Sequence, residues 1–165
     1  MNNSEQHLKI KELRNRISKK PDIVDKIKAI ESIGQKYKLD VLLIDDDDIG
    51  NHLYSKYLEG SNNVNNIVSM TCPVKAMEYL QLLHDNSKNF PKLILLDIEM
   101  PLISGSQFLE MFKIKFPGKK TKIVLFTLHK KEELSIELEN NRVIGYLSKP
   151  LDIKKLEKII KNNFN

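Results

Sequence analysis

Cysteine is almost missing from this chain: one residue, Cys72, in 165. A single thiol cannot close an internal disulfide, so a disulfide-stapled secreted scaffold is excluded. Glycine and proline number only six each, which excludes collagen-like and low-complexity architectures. No apolar run approaches the ~18 residues of a membrane span. The opening segment MNNSEQHLKIKELRNR has no apolar signal-peptide core. A soluble cytoplasmic protein is the expectation. What is present can fold: 41% hydrophobic and 30% charged residues suffice to bury a core. The length is one domain's worth with some left over.

The net charge of +5 is unevenly spread. Residues 1–37 carry nine Lys/Arg against five Asp/Glu, or +4, while residues 38–165 carry 18 against 17, or +1. The basic character therefore belongs mostly to an N-terminal arm, and a charge of this size supports weak attraction to acidic partners at most. Arg14, Arg16, Lys19 and Lys20 make a modest basic patch without interleaved aromatics, so nucleic-acid binding is not expected. Within the arm, Ile23, Ile27 and Ile30 recur at helical spacing, widened by Val24 and Ile33. Pro21 suits a first helical turn and Gly34 an end. Leu8, Ile10, Leu13 and Ile17 fit a shorter helix before it. The arm is read as a pair of helices folded on the domain. Its Ile stripe also allows a partner-binding or self-association element, such as a homodimer contact.

From Leu39 onward, short apolar runs alternate with amphipathic stretches. The runs are Val41–Ile44, Ile67–Met70, Leu93–Leu96, Ile123–Phe126 and Val143–Leu147. All but the second are dense in large aliphatics with little alternation, as strands buried on both faces require. The second is weaker and suits an edge. Between them lie helical patterns marked by Leu53, Tyr57 and Leu58, by Ala76, Leu80 and Leu83, and by Phe108, Phe112 and Phe116. Two more are marked by Leu134 and Leu138, and by Leu156, Ile159 and Ile160. Strand–helix alternation predicts an α/β fold, a doubly wound parallel sheet with helices on both faces. Ligand sites in such sheets lie beyond the carboxyl ends of the strands.

Those ends carry chemistry. Asp45-Asp46-Asp47-Asp48 follows the first strand, Asp97 the third, Thr127 the fourth and Lys149 the fifth. Carboxylates brought this close repel one another and call for a cation. A hard divalent ion with oxygen ligands, Mg2+ above all, meets that need. Lys149 and Thr127 are then left for an anion such as a phosphoryl group. Asp97, on the middle strand, is placed to be a carboxylate nucleophile.

The segment from about Leu39 to Asn165 resembles the CheY-like receiver domain of two-component response regulators. IDDDD resembles the family's acidic pair, LLDIEMPLISG its phosphoacceptor strand and loop, FT its switch hydroxyl, and YLSKP its lysine-proline. Each motif follows a predicted strand, in the family's order. The resemblance implies a five-stranded flavodoxin-like sheet of order 2-1-3-4-5. It implies Asp45 and Asp46 as the acidic pair, with Asp46 the direct Mg2+ ligand, and Asp97 as metal ligand and phosphoacceptor. It implies the backbone carbonyl of Glu99 as third protein ligand, Thr127 and Lys149 as partners of the phosphoryl oxygens, and Tyr146 as the aromatic switch residue. It also implies a cis Lys149–Pro150 peptide. A histidine kinase or histidine phosphotransfer protein would be the donor. The face made by the helix around Leu134, the fifth strand and the last helix would read the state out to an unknown protein target. The expected protein is thus a stand-alone receiver, residues 38–165, behind a basic helical extension, residues 1–37. It would be no enzyme beyond catalysing its own phosphorylation and dephosphorylation, and no output domain is expected after Asn165.

The pattern departs from the family in places. Leu128 follows the threonine where a small residue is usual, and is expected to crowd the site. Ser104 stands where many receivers have aspartate, with little chemical effect expected. Glu99 and His129 occupy positions that tune dephosphorylation. Two competing readings remain. LLIDDDD also parses as hydrophobics followed by Asp45-x-Asp47, resembling the nucleophile motif of haloacid dehalogenase-type phosphatases. Those enzymes also want a late acidic pair, where this chain has Lys149-Pro150. The other is a phosphorylation-independent adaptor that keeps a receiver fold. Cys72 lacks a neighbouring partner, and His7, His52, His84 and His129 lack zinc-ligand spacing, so neither group is read as a site.

Overall fold

The structure, a computed structural model, describes residues 38–128 and 142–164. The two expected helices of the N-terminal arm, and the helix expected around Leu134 and Leu138, lie outside those residues. The described elements run β1 (Leu39–Ile44), α1 (Asp48–Glu59), β2 (Val64–Met70), α2 (Pro73–Asp85), β3 (Leu93–Leu96), α3 (Gly105–Lys115), β4 (Lys122–Thr127), β5 (Val143–Ser148) and α4 (Ile153–Asn163).

All strand pairs are parallel and the order is β2-β1-β3-β4-β5, the doubly wound topology expected. β1 and β3 are buried on both faces almost without exception, which is why they read as unbroken aliphatic runs. One sheet face packs Leu42, Ile44, Ile94, Leu96, Ile123 and Leu125 against α2 and α3. The other packs Val41, Leu43, Leu95, Val124 and Phe126 against Tyr54 and Leu58 of α1 and Leu156 and Ile160 of α4. Phe108, Phe112 and Phe116 are fully or almost fully buried, so this spaced trio belongs to the core, at about 1.5–3 kcal/mol per ring.

One sequence expectation needs correction, and one helix turns out to bury residues its markers did not show. The second strand begins at Val64, not Ile67. Asn65 and Asn66 broke the apolar run, and both are exposed, as an edge strand permits. On α1 the helical pattern was marked by Leu53, Tyr57 and Leu58. Leu58 is buried, but Leu53 is 44% and Tyr57 49% exposed. The buried positions are instead Gly50, Asn51, Tyr54 and Leu58. Apolar residues occur on both sides of this helix, so hydrophobicity alone does not show which side is buried.

Candidate functional site

The ladder assembles the site. Ile44 of β1 pairs with Leu96 of β3, so the next residues, Asp45 and Asp97, emerge side by side. The Asp97 amide donates to the Ile44 carbonyl at 2.9 Å, extending the pairing one residue past the strands. Thr127 pairs with Ser148, and the Lys149 amide donates to the Thr127 carbonyl at 2.8 Å. All four expected strand-end groups thus share one rim.

Lys149 is the hub. Its Nζ lies 2.7 Å from Oδ2 of Asp45 and 2.7 Å from Oδ2 of Asp97. Asp45 is fully buried and Asp97 4% exposed. Burial works against the lysine's charge, but the two carboxylates outweigh it and raise its pKa above the ordinary value. Burial raises the Asp97 carboxyl, Lys149 opposes that rise and the Asp45 charge adds to it. Deleting the lysine would leave two facing carboxylates without a cation, a cost on the order of 3–5 kcal/mol. The Lys149–Pro150 peptide is cis, as expected.

The remaining carboxylate oxygens are spent unequally. Oδ1 of Asp97 accepts from the amides of Ile98 at 2.7 Å and Glu99 at 3.3 Å. Oδ1 of Asp45 accepts from the Asp47 amide at 3.1 Å. Asp47 caps α1 by accepting from the Ile49 amide at 3.1 Å. Asp46 stays exposed. Asp45, Asp46 and Asp97 can bring one oxygen each within 4.8 Å of one another. Such a set of hard oxygen donors, with more negative charge than Lys149 neutralises, fits a Mg2+-type cation.

A cavity of about 400 Å3 opens over this cluster, lined by Asp46, Asp47, Asp97 and Glu99 and by Tyr54, Thr127, Leu128, Lys149 and Pro150. Leu128, expected to crowd the site, stands at its mouth with 74% of its surface exposed. Thr127 is fully buried. Tyr146 is half-buried against the α2/α3 face of the sheet. Ser104 caps α3 in a reciprocal capping box with Gln107, a role worth about 1 kcal/mol that needs no aspartate. His129 lies outside the described residues.

Two residues escaped the sequence reading. Asn51 is buried and donates to the Asp45 carbonyl at 2.6 Å, tying α1 to the acidic turn. Tyr54 joins the cavity wall. Neither sits at a strand end, and the only sequence signal for the first was an asparagine four residues after Asp47, at helical spacing.

Comparison with known proteins adds to this geometry. Residues 41–161 match the family model of the response regulator receiver domain. Over 86 residues the chain is 36% identical to an uncharacterized response regulatory protein of Shewanella oneidensis, across 52% of this chain and 33% of that protein. Over 120 residues it is 29% identical to the transcriptional regulatory protein BtsR of Salmonella typhimurium, across 73% of this chain and 46% of BtsR. The chain therefore spans about a third to a half of these two relatives. Among solved structures, a two component response regulator from Cytophaga hutchinsonii superposes with a TM-score of 0.68 at 31% identity, covering 76% of this chain and 96% of that one. The chain belongs to the response regulator receiver domain family, and the phosphatase parsing of Asp45 and Asp47 is not favoured.

Proposed function

We propose that this receiver accepts a phosphoryl group on Asp97 from a phosphohistidine and thereby switches binding to a downstream protein. A histidine kinase or a histidine phosphotransfer protein is the donor. One observation carries the reading: Lys149 bridges Asp45 and Asp97 at 2.7 Å each, beside the exposed carboxylate of Asp46. A buried carboxylate with a cation at one oxygen and amides at the other is held still for attack.

In the transfer, an Asp97 oxygen attacks phosphorus and the phosphorus–nitrogen bond breaks. The electron pair returns to the imidazole nitrogen, and an acyl phosphate remains on Asp97. Lys149 and Thr127 take the new phosphoryl oxygens. Asp45, Asp46 and Asp97, with the Glu99 carbonyl, would hold Mg2+. That ion, when bound, neutralises charge on the transferring group. The acyl phosphate adds charge beside Thr127 and Lys149. Tyr146, packed on the same sheet face as the Thr127 neighbour Leu125, would follow and bias the surface of β5 and α4 between pre-existing states. We read residues 38–165 as the switching domain, acting in the cytoplasm, and residues 1–37 as its basic extension.

Intact-mass spectrometry after incubation with a small acyl phosphate donor and Mg2+ tests this. Wild type should gain one base-labile phosphoryl group and Asp97→Asn none. An equal gain on both, or none on wild type, contradicts the proposal.

A further inference from the structure

We propose that Tyr54 is a further residue of the phosphoryl site, with its ring braced against Phe126 and its hydroxyl donating to the anion held over Asp97. This rests on the reading of Asp97 as phosphoacceptor. Nothing in the motifs assigns a role to this position, which lies in the middle of α1 rather than at a strand end.

Several observations converge on it. The Tyr54 ring stands edge-on to Phe126, centroids 4.9 Å apart and planes at 82°. Such pairs add about 0.5–1.5 kcal/mol beyond area burial and fix ring orientation. Phe126 immediately precedes Thr127, and the Lys149 ammonium lies 5.5 Å from its ring centroid. Tyr54, Phe126 and Lys149 therefore form a continuous stack from α1 through β4 to the loop after β5. Gly50 makes room for it. A Cβ at Gly50 would come within 2.7 Å of Oδ2 of Asp47 and 3.1 Å of Cε2 of Tyr54. The missing side chain lets the ring lie down beside the acidic turn.

The hydroxyl is the polar end of this stack. Tyr54 is only 8% exposed as a residue, but its hydroxyl is not among the polar atoms buried without a partner, so it is not sealed in the core. Tyr54 lines the same cavity as Asp97, Thr127 and Lys149. Burial raises its pKa, Lys149 opposes, and Asp45, Asp47 and Asp97 add to the rise, so it keeps its proton as a donor. A neutral donor at the wall of this cavity gains a bond when a phosphoryl group arrives over Asp97. Its ring meanwhile shields that group from water on the α1 side.

A packing role alone would be served equally by phenylalanine, so Tyr54→Phe separates the two. The full 165-residue chain is titrated with beryllofluoride, a phosphoryl mimic, in Mg2+, and the lifetime of the acyl phosphate is followed by mass spectrometry. Loss of a hydrogen bond to a charged group predicts roughly tenfold weaker beryllofluoride binding and a shorter-lived adduct. The Tm without ligand should stay unchanged. Affinity and lifetime within about twofold of wild type would overturn the inference, as would a loss matched by a fall in the unliganded Tm. If wild type itself binds no beryllofluoride and gains no phosphoryl group, the Asp97 reading fails, and this inference falls with it.

Discussion

At the residue scale, Asp97 carries the sharpest electrostatic conflict. Burial holds its carboxyl above the ordinary value although Lys149 pulls it down, and Asp45 adds to the rise. An acid with a raised folded-state pKa binds its proton more tightly when folded, so ionising it costs stability. Wild type should therefore lose stability relative to Asp97→Asn as pH rises from about 4 through the folded-state pKa. Above that point the gap should hold constant. Urea unfolding of both proteins at stepped pH, without divalent ions, measures it. A difference, wild type minus Asp97→Asn, that stays flat or increases with rising pH contradicts this expectation. Leu102 is a second point of stress. It holds φ at 71° with 84% of its surface exposed. The left-handed region costs an ordinary side chain about 1–2 kcal/mol, and here little packing offsets it. Asparagine tolerates this conformation better. Leu102→Asn is expected to raise the unfolding free energy by roughly 0.5–1 kcal/mol. A lowered or unchanged urea midpoint would count against that.

At the element scale, the start of α3 is pinned to the end of β3. A Cβ at Gly105 would overlap the Asp97 carbonyl and stand 2.8 Å from the Ile98 Cα. Both are backbone atoms of the Asp97–Ile98 segment, and neither can yield cheaply. At Gly145 an added Cβ would meet the Ile159 side chain at 2.7 Å, and a side chain can turn aside. Gly105→Ala should therefore cost on the order of 2–3 kcal/mol and slow phosphorylation, while Gly145→Ala costs less. Thermal unfolding of the two variants ranks them, and the reverse order would refute the argument. The elements also explain what could be read in advance. β1, β3 and β4 were legible because burial on both faces leaves an unbroken aliphatic run. The start of β2 was not, because an edge strand may carry exposed asparagines. α1 was placed, but its buried face was not legible. Its inner face gives space to Gly50 and Asn51, which serve the acidic turn, while Ile49, Leu53 and Tyr57 face solvent.

At the scale of the whole molecule, the site is a product of strand order. Asp45, Asp97, Thr127 and Lys149 are far apart in the chain, yet β1, β3, β4 and β5 lie side by side in that order. A lysine beyond β5 must reach past β4, at about 4.8 Å per strand, to meet carboxylates on β3 and β1. Its four-carbon stem permits this. The parallel alternation and the strand-end residues were enough to foresee that meeting from the sequence. Tyr54 was invisible there, because a mid-helix aromatic reads as core until the cavity beside it is known. The central claim, that Asp97 among this crowd of carboxylates is the acceptor, is tested most directly by trapping. Wild type is phosphorylated in Mg2+, reduced with borohydride, which converts an aspartyl phosphate to homoserine, and mapped by peptide mass spectrometry. The account predicts homoserine at position 97 alone. Homoserine at position 45, 46 or 47, or at none, would contradict it.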